Sequence, residues 1–513
     1  MSGLVVSPHP LASEAGRDVL ARGGSAIEAA IAINAVLAVV YPHFCGLGGD
    51  AVWLVSDGQG RETCFLGIGQ AIAQAEVSGP IKVRGPGSVL TTAAAVDSWD
   101  HALRHWPAGF DLAQLVAPAI ALAEHGFPVS ASQAHWLAFR ERETADWLGF
   151  DALFRPGGRA PEPGEVFYQP QLAKSLRAIA EGGARSFYEG ELARRIVSGL
   201  NAVGAPLSLA DLAATHTRSV EPLRLDYRGL TLLAPPPPTQ GLTTLQIMGI
   251  LAHLDLASVA EDSAAHLHLV VEAVKQAFLD RDGLADPDYA DIDCAALLDP
   301  AHLAAKAAAI GGTAMAWPHR FAPADTVYFA AVDGAGRCAS VLQSTYFDWG
   351  SGVVAGDTGI LWQNRGAAFS ADPSHPNAYR PGKRPFYTLN PGMALDNGRP
   401  RLLYGTQGAD GQPQTLAMLL TRLIDYRRSP ADALAGGRFL LGRTFSDSND
   451  TLKVEGQFGD AVLDELRHRN HDVAPIAAFS ALAGQAGIIR IGEAGDLAGA
   501  HDPRGEGTAL HVP

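Results

Sequence analysis

Residues 320–354 run RFAPADTVYFAAVDGAGRCASVLQSTYFDWGSGVV. TVYFAAV and RCASVLQST are rich in β-branched, aromatic and small apolar residues, and DGAG between them is a turn sequence, so the stretch predicts a two-stranded hairpin. Asp325 stands directly before Thr326, the first residue of that hairpin. A threonine there is ordinarily a strand residue. It becomes a nucleophile with its own base if the chain is cut before it. An α-amine titrates at roughly 7.7–8.0 against about 10.4 for a lysine, so much more of it is neutral near pH 7. The hairpin by itself leaves both readings open.

Around this stretch the sequence is that of a large globular protein. Its 513 residues exceed one ordinary hydrophobic core, and 47% hydrophobic with 18% charged residues is usual for a compact fold. A net charge of −15, with no block of like charge, argues against nucleic acid or an anionic membrane as the main partner. Cys45, Cys64, Cys294 and Cys338 are scattered, which is neither a disulfide framework nor a zinc site and fits a reducing compartment. The N-terminal residues lack a basic stretch followed by an apolar one. AIEAAIAINAVLAVV from Ala26 is too short to span a bilayer and reads as a buried helix. A soluble, cytoplasmic protein is expected.

Residues 11–40 show helical spacing, broken at Gly23-Gly24, and DAVWLVSDGQGRETCFLG reads as two strands about an Asp57-Gly58 turn. Residues from about 95 to 200 are mainly helical. EPLRLDYRGLTLLAPPPP predicts strands, and SAAHLHLVVEAVKQAFLDRDG predicts an amphipathic helix. After Thr326 further strands are expected in RPRLLYGTQGAD and IIRIGEAGDLAGA, with a helix in QTLAMLLTRLIDYRR. A helix-rich first part and a strand-rich second part suggest helices covering packed sheets, an α+β layered architecture.

Few local motifs carry chemistry. CGLGGD (45–50) lacks both GxGxxG and a P-loop lysine and reads as a tight turn into a strand. GTQGADGQPQT (405–415) leads into a helix, where its amides either converge on an anion or form an ordinary strand-to-helix loop. The histidines make no HExxH set; His9 and His43 both follow prolines and read as structural. No serine nucleophile elbow is present, which disfavours an α/β-hydrolase.

Five segments taken together resolve these alternatives. GGSAIEAAIAINAVLAVVYPHFCGLGGD (23–50), ADTVYFAAVD (324–333), GSGVVAGDTGILWQN (350–364), GKRPFYTLNP (382–391) and LYGTQGADGQPQT (403–415) occur in the order and spacing of the gamma-glutamyltransferase family of N-terminal nucleophile hydrolases. The resemblance runs from Gly3 to GAHDPRGEG (499–507). It implies a precursor that cuts itself between Asp325 and Thr326. The products would be a large subunit, 1–325, and a small subunit, 326–513, forming a heterodimer or a dimer of heterodimers in one four-layer αββα fold. It further implies Thr326 as nucleophile and, through its α-amine, as base. Ser344 would orient the nucleophile, the amides of Gly408 and Ala409 would form the oxyanion hole, and neither cofactor nor metal is expected.

The departures from the family pattern bear on the substrate. Val327-Tyr328 replaces the Thr-His usual after the nucleophile, and Gly69 stands where an arginine clamps the glutamate α-carboxylate. Tyr346, Arg365 and Ala368 replace the Asn, Gln and Asp that hold the substrate ammonium. A cation-binding corner thus becomes an anion-binding one, with Arg365, Tyr346, Tyr387 and Thr388 as the expected substrate-binding residues. A γ-glutamyl ammonium beside Arg365 would be repelled, whereas a bare carboxylate suits the guanidinium fork. WQNRGAAFS, TLNP and GADGQPQT are most similar to the oxamate amidohydrolase branch, which implies hydrolysis of oxamate to oxalate and ammonia in purine-ring catabolism. The alternatives are a γ-glutamyl hydrolase or transferase, a glutaryl-type acylase, or an unprocessed, inactive relative that only binds a ligand.

Overall fold

The computed structural model describes residues 3–512 except 76, 78, 145, 146, 148, 319–324 and 444–448. The TVYFAAV hairpin forms as expected, with strands Val327–Val332 and Cys338–Ser344 paired antiparallel so that Gln343 faces Val327. It lies at the centre of a seven-stranded antiparallel sheet. On one side of it are Gly3–Ser7 and Thr508–Val512; on the other are Asp50–Ser56, Glu62–Gly67 and Arg218–Val220. A six-stranded antiparallel sheet runs in the order Leu497–His501, Ala486–Ile491, Arg399–Thr406, Gly392–Asp396, Leu230–Ala234, Leu223–Tyr227.

The period of two along each strand decides the layering. Tyr328, Ala330 and Val332 point inward with Val52, Leu54 and Leu342, and meet Leu233, Met393, Leu403 and Ile489 of the second sheet. Val327, Phe329 and Ala331 point the other way, into helices Ala26–Val40, Ala95–His105 and Leu112–His125. The second sheet turns Leu232, Ala394, Leu402 and Ile488 toward helices Gly241–Ala252, Ala264–Phe278 and Gln412–Ile424. The result is an α+β fold of four layers, αββα. Strands with both faces covered need apolar residues on both, which is why TVYFAAV does not alternate with polar residues.

Helix Ala26–Val40 is buried along its whole length. Its start is fixed by a capping box: Ser25 Oγ accepts from Glu28 N at 3.1 Å, and Glu28 Oε2 accepts from Ser25 N at 2.7 Å. Both sheets take strands from each side of Thr326, so neither the segment before it nor the one after it could close this core alone. No described helix is long and apolar enough to cross a membrane.

Candidate active site

Thr326 sits at the N-terminal end of the central strand and is fully buried. The peptide bond before it is held on every side. Ser344 Oγ donates to the Asp325 carbonyl oxygen at 2.6 Å, and that same oxygen of Ser344 accepts from Tyr346 N at 2.7 Å. Asp325 N donates to Tyr346 O at 2.6 Å. Thr326 N donates to Asp325 Oδ1 at 2.8 Å, and Gln412 Nε2 reaches Thr326 Oγ1 at 3.3 Å. Burial pushes the Asp325 carboxyl well above the usual carboxylate range, and this carboxyl lies beside the Thr326 nitrogen. Ser344 therefore bonds the carbonyl of the Asp325–Thr326 peptide, while Gln412 bonds the Thr326 hydroxyl.

Gly408 and Ala409 occupy the turn between strand Arg399–Thr406 and helix Gln412–Ile424, both with positive φ, +118° and +50°. Neither amide is engaged by another described residue. The turn is gripped from the N-terminal part of the chain: Gln240 Nε2 donates to Ala409 O at 2.8 Å and to Thr388 O at 2.7 Å. Arg281 pairs with Asp410 and donates to Gln240 Oε1 at 3.1 Å. Two successive positive-φ residues make this a sharp turn whose two consecutive N–H groups are free of backbone partners among the described residues.

The Arg365 corner adjoins this centre through Tyr346, whose ring packs with Phe347 and Ala409. Arg365 is 0% exposed, and its Nε, Nη1 and Nη2 have no hydrogen-bond partner among the described residues. Its guanidinium lies between two aromatic faces, 4.0 Å from the Tyr346 centroid and 4.4 Å from that of Tyr387. Burial lowers its pKa, offset by the two tyrosines and by Asp50. Tyr387 Oη donates to Asp50 Oδ2 at 2.7 Å. Asp50 Oδ1 takes the amides of Gly69 and Ala94, each at 2.9 Å, and burial raises that carboxyl to about 6. Thr388 contributes a buried hydroxyl without a described partner. Tyr346 itself has φ +81°, a costly conformation for a bulky residue, pinned by the two bonds at 2.6 and 2.7 Å to Asp325 and Ser344.

The sequence-derived residues are linked by contacts: Asp325 and Thr326 to Ser344 and Tyr346, Tyr346 to Arg365 and Ala409, Arg365 to Tyr387, and Thr388 to the Gly408-Ala409 turn through Gln240. Asp50, Gln240, Arg281, Asp410 and Gln412 were not anticipated. Asp50, Asp410 and Gln412 lie inside quoted family segments, where proximity to a glycine turn was the only signal. Gly69 cannot carry a clamp: a Cβ there would lie 1.9 Å from the Thr92 carbonyl oxygen. His9 and His43 are structural, His9 capping helix Pro10–Ala21 and His43 bonding Ser132 at 2.9 Å.

His268, Glu272 and His471 are grouped closely enough to share a cation. Most of their ligand atoms are already committed, with only His471 Nδ1 lacking a described partner. The two imidazoles hydrogen-bond each other at 2.8 Å, and Glu272 accepts from Lys275 Nζ at 2.7 Å and from Met315 N at 3.0 Å. The cluster reads as a tie between helix Ala264–Phe278 and residues 311–315.

A cavity of about 530 Å³ lies beside Asp325 and Gly408, which form part of its lining. Its outer wall is largely apolar, with Trp136, Phe139, Leu440 and Leu482.

Comparison with known proteins agrees with this geometry. The family model described as Gamma-glutamyltranspeptidase matches residues 12–512. The chain is 44% identical over 518 residues to the oxamate amidohydrolase proenzyme of Klebsiella pneumoniae, covering 99% of this chain and 98% of that one. It is 42% identical over 522 residues to the glutathione hydrolase-like YwrD proenzyme of Bacillus subtilis, again covering 99% and 98%. The crystal structure of cephalosporin acylase from Bacillus halodurans superposes with a TM-score of 0.93 at 33% identity, covering 99% of this chain and 95% of that one. The chain belongs to the gamma-glutamyltranspeptidase family and is an N-terminal nucleophile hydrolase acting on amide bonds.

Proposed function

We propose that the chain cleaves itself between Asp325 and Thr326, giving subunits 1–325 and 326–513, and that Thr326 then hydrolyses a small amide bearing a free carboxylate, oxamate foremost. The observation that carries the substrate assignment is Arg365, a buried guanidinium with no hydrogen-bonding partner among the described residues. Removing a cation from water costs several kcal/mol, and aromatic faces return only about 1–2 kcal/mol each. A carboxylate ligand supplies the missing charge and accepts two parallel hydrogen bonds.

The hydrogen bonds about the Asp325–Thr326 peptide support self-cleavage. Thr326 Oγ attacks the Asp325 carbonyl carbon, and the developing oxyanion keeps the Ser344 hydroxyl already bonded to it. The C–N bond breaks as the Thr326 nitrogen gains the proton that Oγ gives up, with Asp325 Oδ1, 2.8 Å from that nitrogen, placed to relay it. Water then cleaves the resulting ester, leaving Asp325 as a C-terminal carboxylate and Thr326 with a free α-amine. In turnover that amine takes the hydroxyl proton as Oγ attacks the substrate carbonyl. The Gly408 and Ala409 amides receive the oxyanion, the leaving nitrogen takes the proton, and water hydrolyses the acyl ester.

The γ-glutamyl alternative meets two obstacles: position 69 has no room for a side chain, and Ala368 offers no carboxylate to an ammonium. The test is an ammonia-release assay on oxamate, glutamine and γ-glutamyl-anilide, beside electrophoresis and N-terminal sequencing. Two bands, a small subunit beginning Thr-Val-Tyr, an uncut Thr326→Ala and a preference for oxamate are expected. Faster turnover of the γ-glutamyl compound would overturn the substrate assignment, and a different N-terminus would overturn the nucleophile.

A further inference from the structure

We propose that Gln412 is a further catalytic residue, one that serves hydrolysis of the ester on Thr326: its Nε2 donates to the ester oxygen and its Oε1 accepts from the attacking water. The proposal rests on Thr326 being the nucleophile and on no particular acyl group. Gln412 Nε2 lies 3.3 Å from Thr326 Oγ1, and no other described group hydrogen-bonds that oxygen. The other polar atoms nearby are committed elsewhere. Ser344 Oγ is held between Asp325 O and Tyr346 N, and Asp325 Oδ1 accepts from Thr326 N.

Gln412 opens helix Gln412–Ile424 and is 0% exposed, yet its Oε1 has no partner among the described residues. Leaving an amide oxygen buried without a donor is costly. Two neighbouring buried glutamines have both ends matched. Gln240 Nε2 donates to Thr388 O and Ala409 O, and its Oε1 accepts from Arg281 at 3.1 Å. Gln414 Nε2 donates to Asp410 O and Leu441 O, and its Oε1 accepts from Leu441 N at 2.8 Å. A purely structural role at 412 would be met by methionine, which fills similar space with no polar oxygen to satisfy. An amide with one end on the nucleophile and the other unmatched suits a group whose second partner is a reactant.

The same kind of ester arises twice. In processing it joins Asp325 to Thr326 Oγ, and in turnover it joins the substrate acyl group to that oxygen; both times the Thr326 α-amine is free. Water bonds to the ester carbon as the α-amine takes its proton. The C–Oγ bond then breaks, and the amine returns the proton to Oγ. Oε1 orients the entering oxygen, and Nε2 stabilises the negative charge that grows on the departing one. In acylation no water takes part, and a donor on the attacking oxygen does not speed its attack. Gln412 therefore belongs to ester hydrolysis alone.

The experiment uses Gln412→Met, with Gln412→Asn as a second variant that keeps the amide but draws it back by one methylene. Processing is read first because it needs no substrate. The Met chain is expected to be cut about tenfold or more slowly than wild type, the worth of a hydrogen bond to a charged oxygen. Its ester should accumulate, so that hydroxylamine added to the folded protein releases the small subunit at once and leaves a hydroxamate on Asp325, seen by mass spectrometry. In the processed enzyme, oxamate and γ-glutamyl-anilide are supplied in turn, and the acyl mass on the Thr326 peptide is followed after acid quench. It should persist about tenfold or more longer in the variant, with kcat and KM falling together and kcat/KM within about twofold of wild type. If Gln412→Met does not fold, the same readings on Gln412→Asn decide. Processing and acyl release at the wild-type rate overturn the assignment, and so does a slow variant that hydroxylamine does not release, since its block precedes the ester. A small subunit that begins elsewhere, or an acyl mass on another residue, instead removes Thr326 as the nucleophile and this role of Gln412 with it.

Discussion

Replacing Arg365 by Met separates a substrate-binding cation from a structural one, because the two roles predict opposite changes in stability. The guanidinium is fully buried and lies 4.0 and 4.4 Å from two ring centroids, with no described hydrogen-bond partner. Its desolvation costs several kcal/mol, against which two cation–π contacts return about 1–2 kcal/mol each and Asp50 a further part through the field. Met occupies similar space without the charge, so the processed enzyme is expected to unfold at equal or higher free energy, by up to ~3 kcal/mol. Activity should move the other way. Loss of a bidentate ionic pair worth roughly 2–5 kcal/mol lowers kcat/KM for oxamate by about 30-fold or more. Calorimetry with and without oxalate completes the assay: at 100 times its Kd a ligand adds about 2.7 kcal/mol to the wild type, and the variant should gain little of it. A variant destabilised by ~3 kcal/mol that still gained the full oxalate increment would refute the assignment and make Arg365 part of the scaffold.

Three further changes test neighbouring features. Burial holds the Asp325 carboxyl above its ordinary value in the uncut chain, so the folded state keeps a proton that the unfolded chain loses near pH 4. That contribution is complete below the unfolded pKa and is lost as pH rises toward the raised folded value. Denaturant titrations of Thr326→Ala should therefore fall more steeply above about pH 4 than those of Thr326→Ala with Asp325→Asn, and in an otherwise wild-type chain Asp325→Asn should slow cleavage on a time-course gel. Ala409→Gly relieves a φ of +50° without removing the amide, so kcat should stay within about twofold and stability within ~1 kcal/mol; a hundredfold fall in kcat would take the oxyanion away from this turn. Gly69→Ala places a Cβ 1.9 Å from the Thr92 oxygen and should cost about 1–3 kcal/mol or more in chemical denaturation; a neutral result would mean that the loop yields.

Several strands and helices were legible because each carries its own period. The apolar run after Thr326, the capped helix from Ala26 and the 50–67 hairpin need only local turn chemistry and burial to be placed. The nucleophile was legible only through several segments read together, since a threonine before a strand has no local mark of reactivity. The division into a helix-rich first part and a strand-rich second part was less informative than it looked, because strand pairing ignores chain order and threads both parts through both sheets.

By itself the sequence determined the hairpin, the covered sheets, the family and the presence of an arginine at position 365. Only the tertiary structure decided what those residues touch. Ser344 meets the Asp325 carbonyl, Gln240 and Arg281 hold the Gly408-Ala409 turn from more than a hundred residues away, and Arg365 lies between two rings. The cavity, too, is assembled from distant pieces of chain. Periodicity is a property of neighbours along the chain, whereas burial, charge compensation and cavity shape are set by groups that meet only when the four layers close.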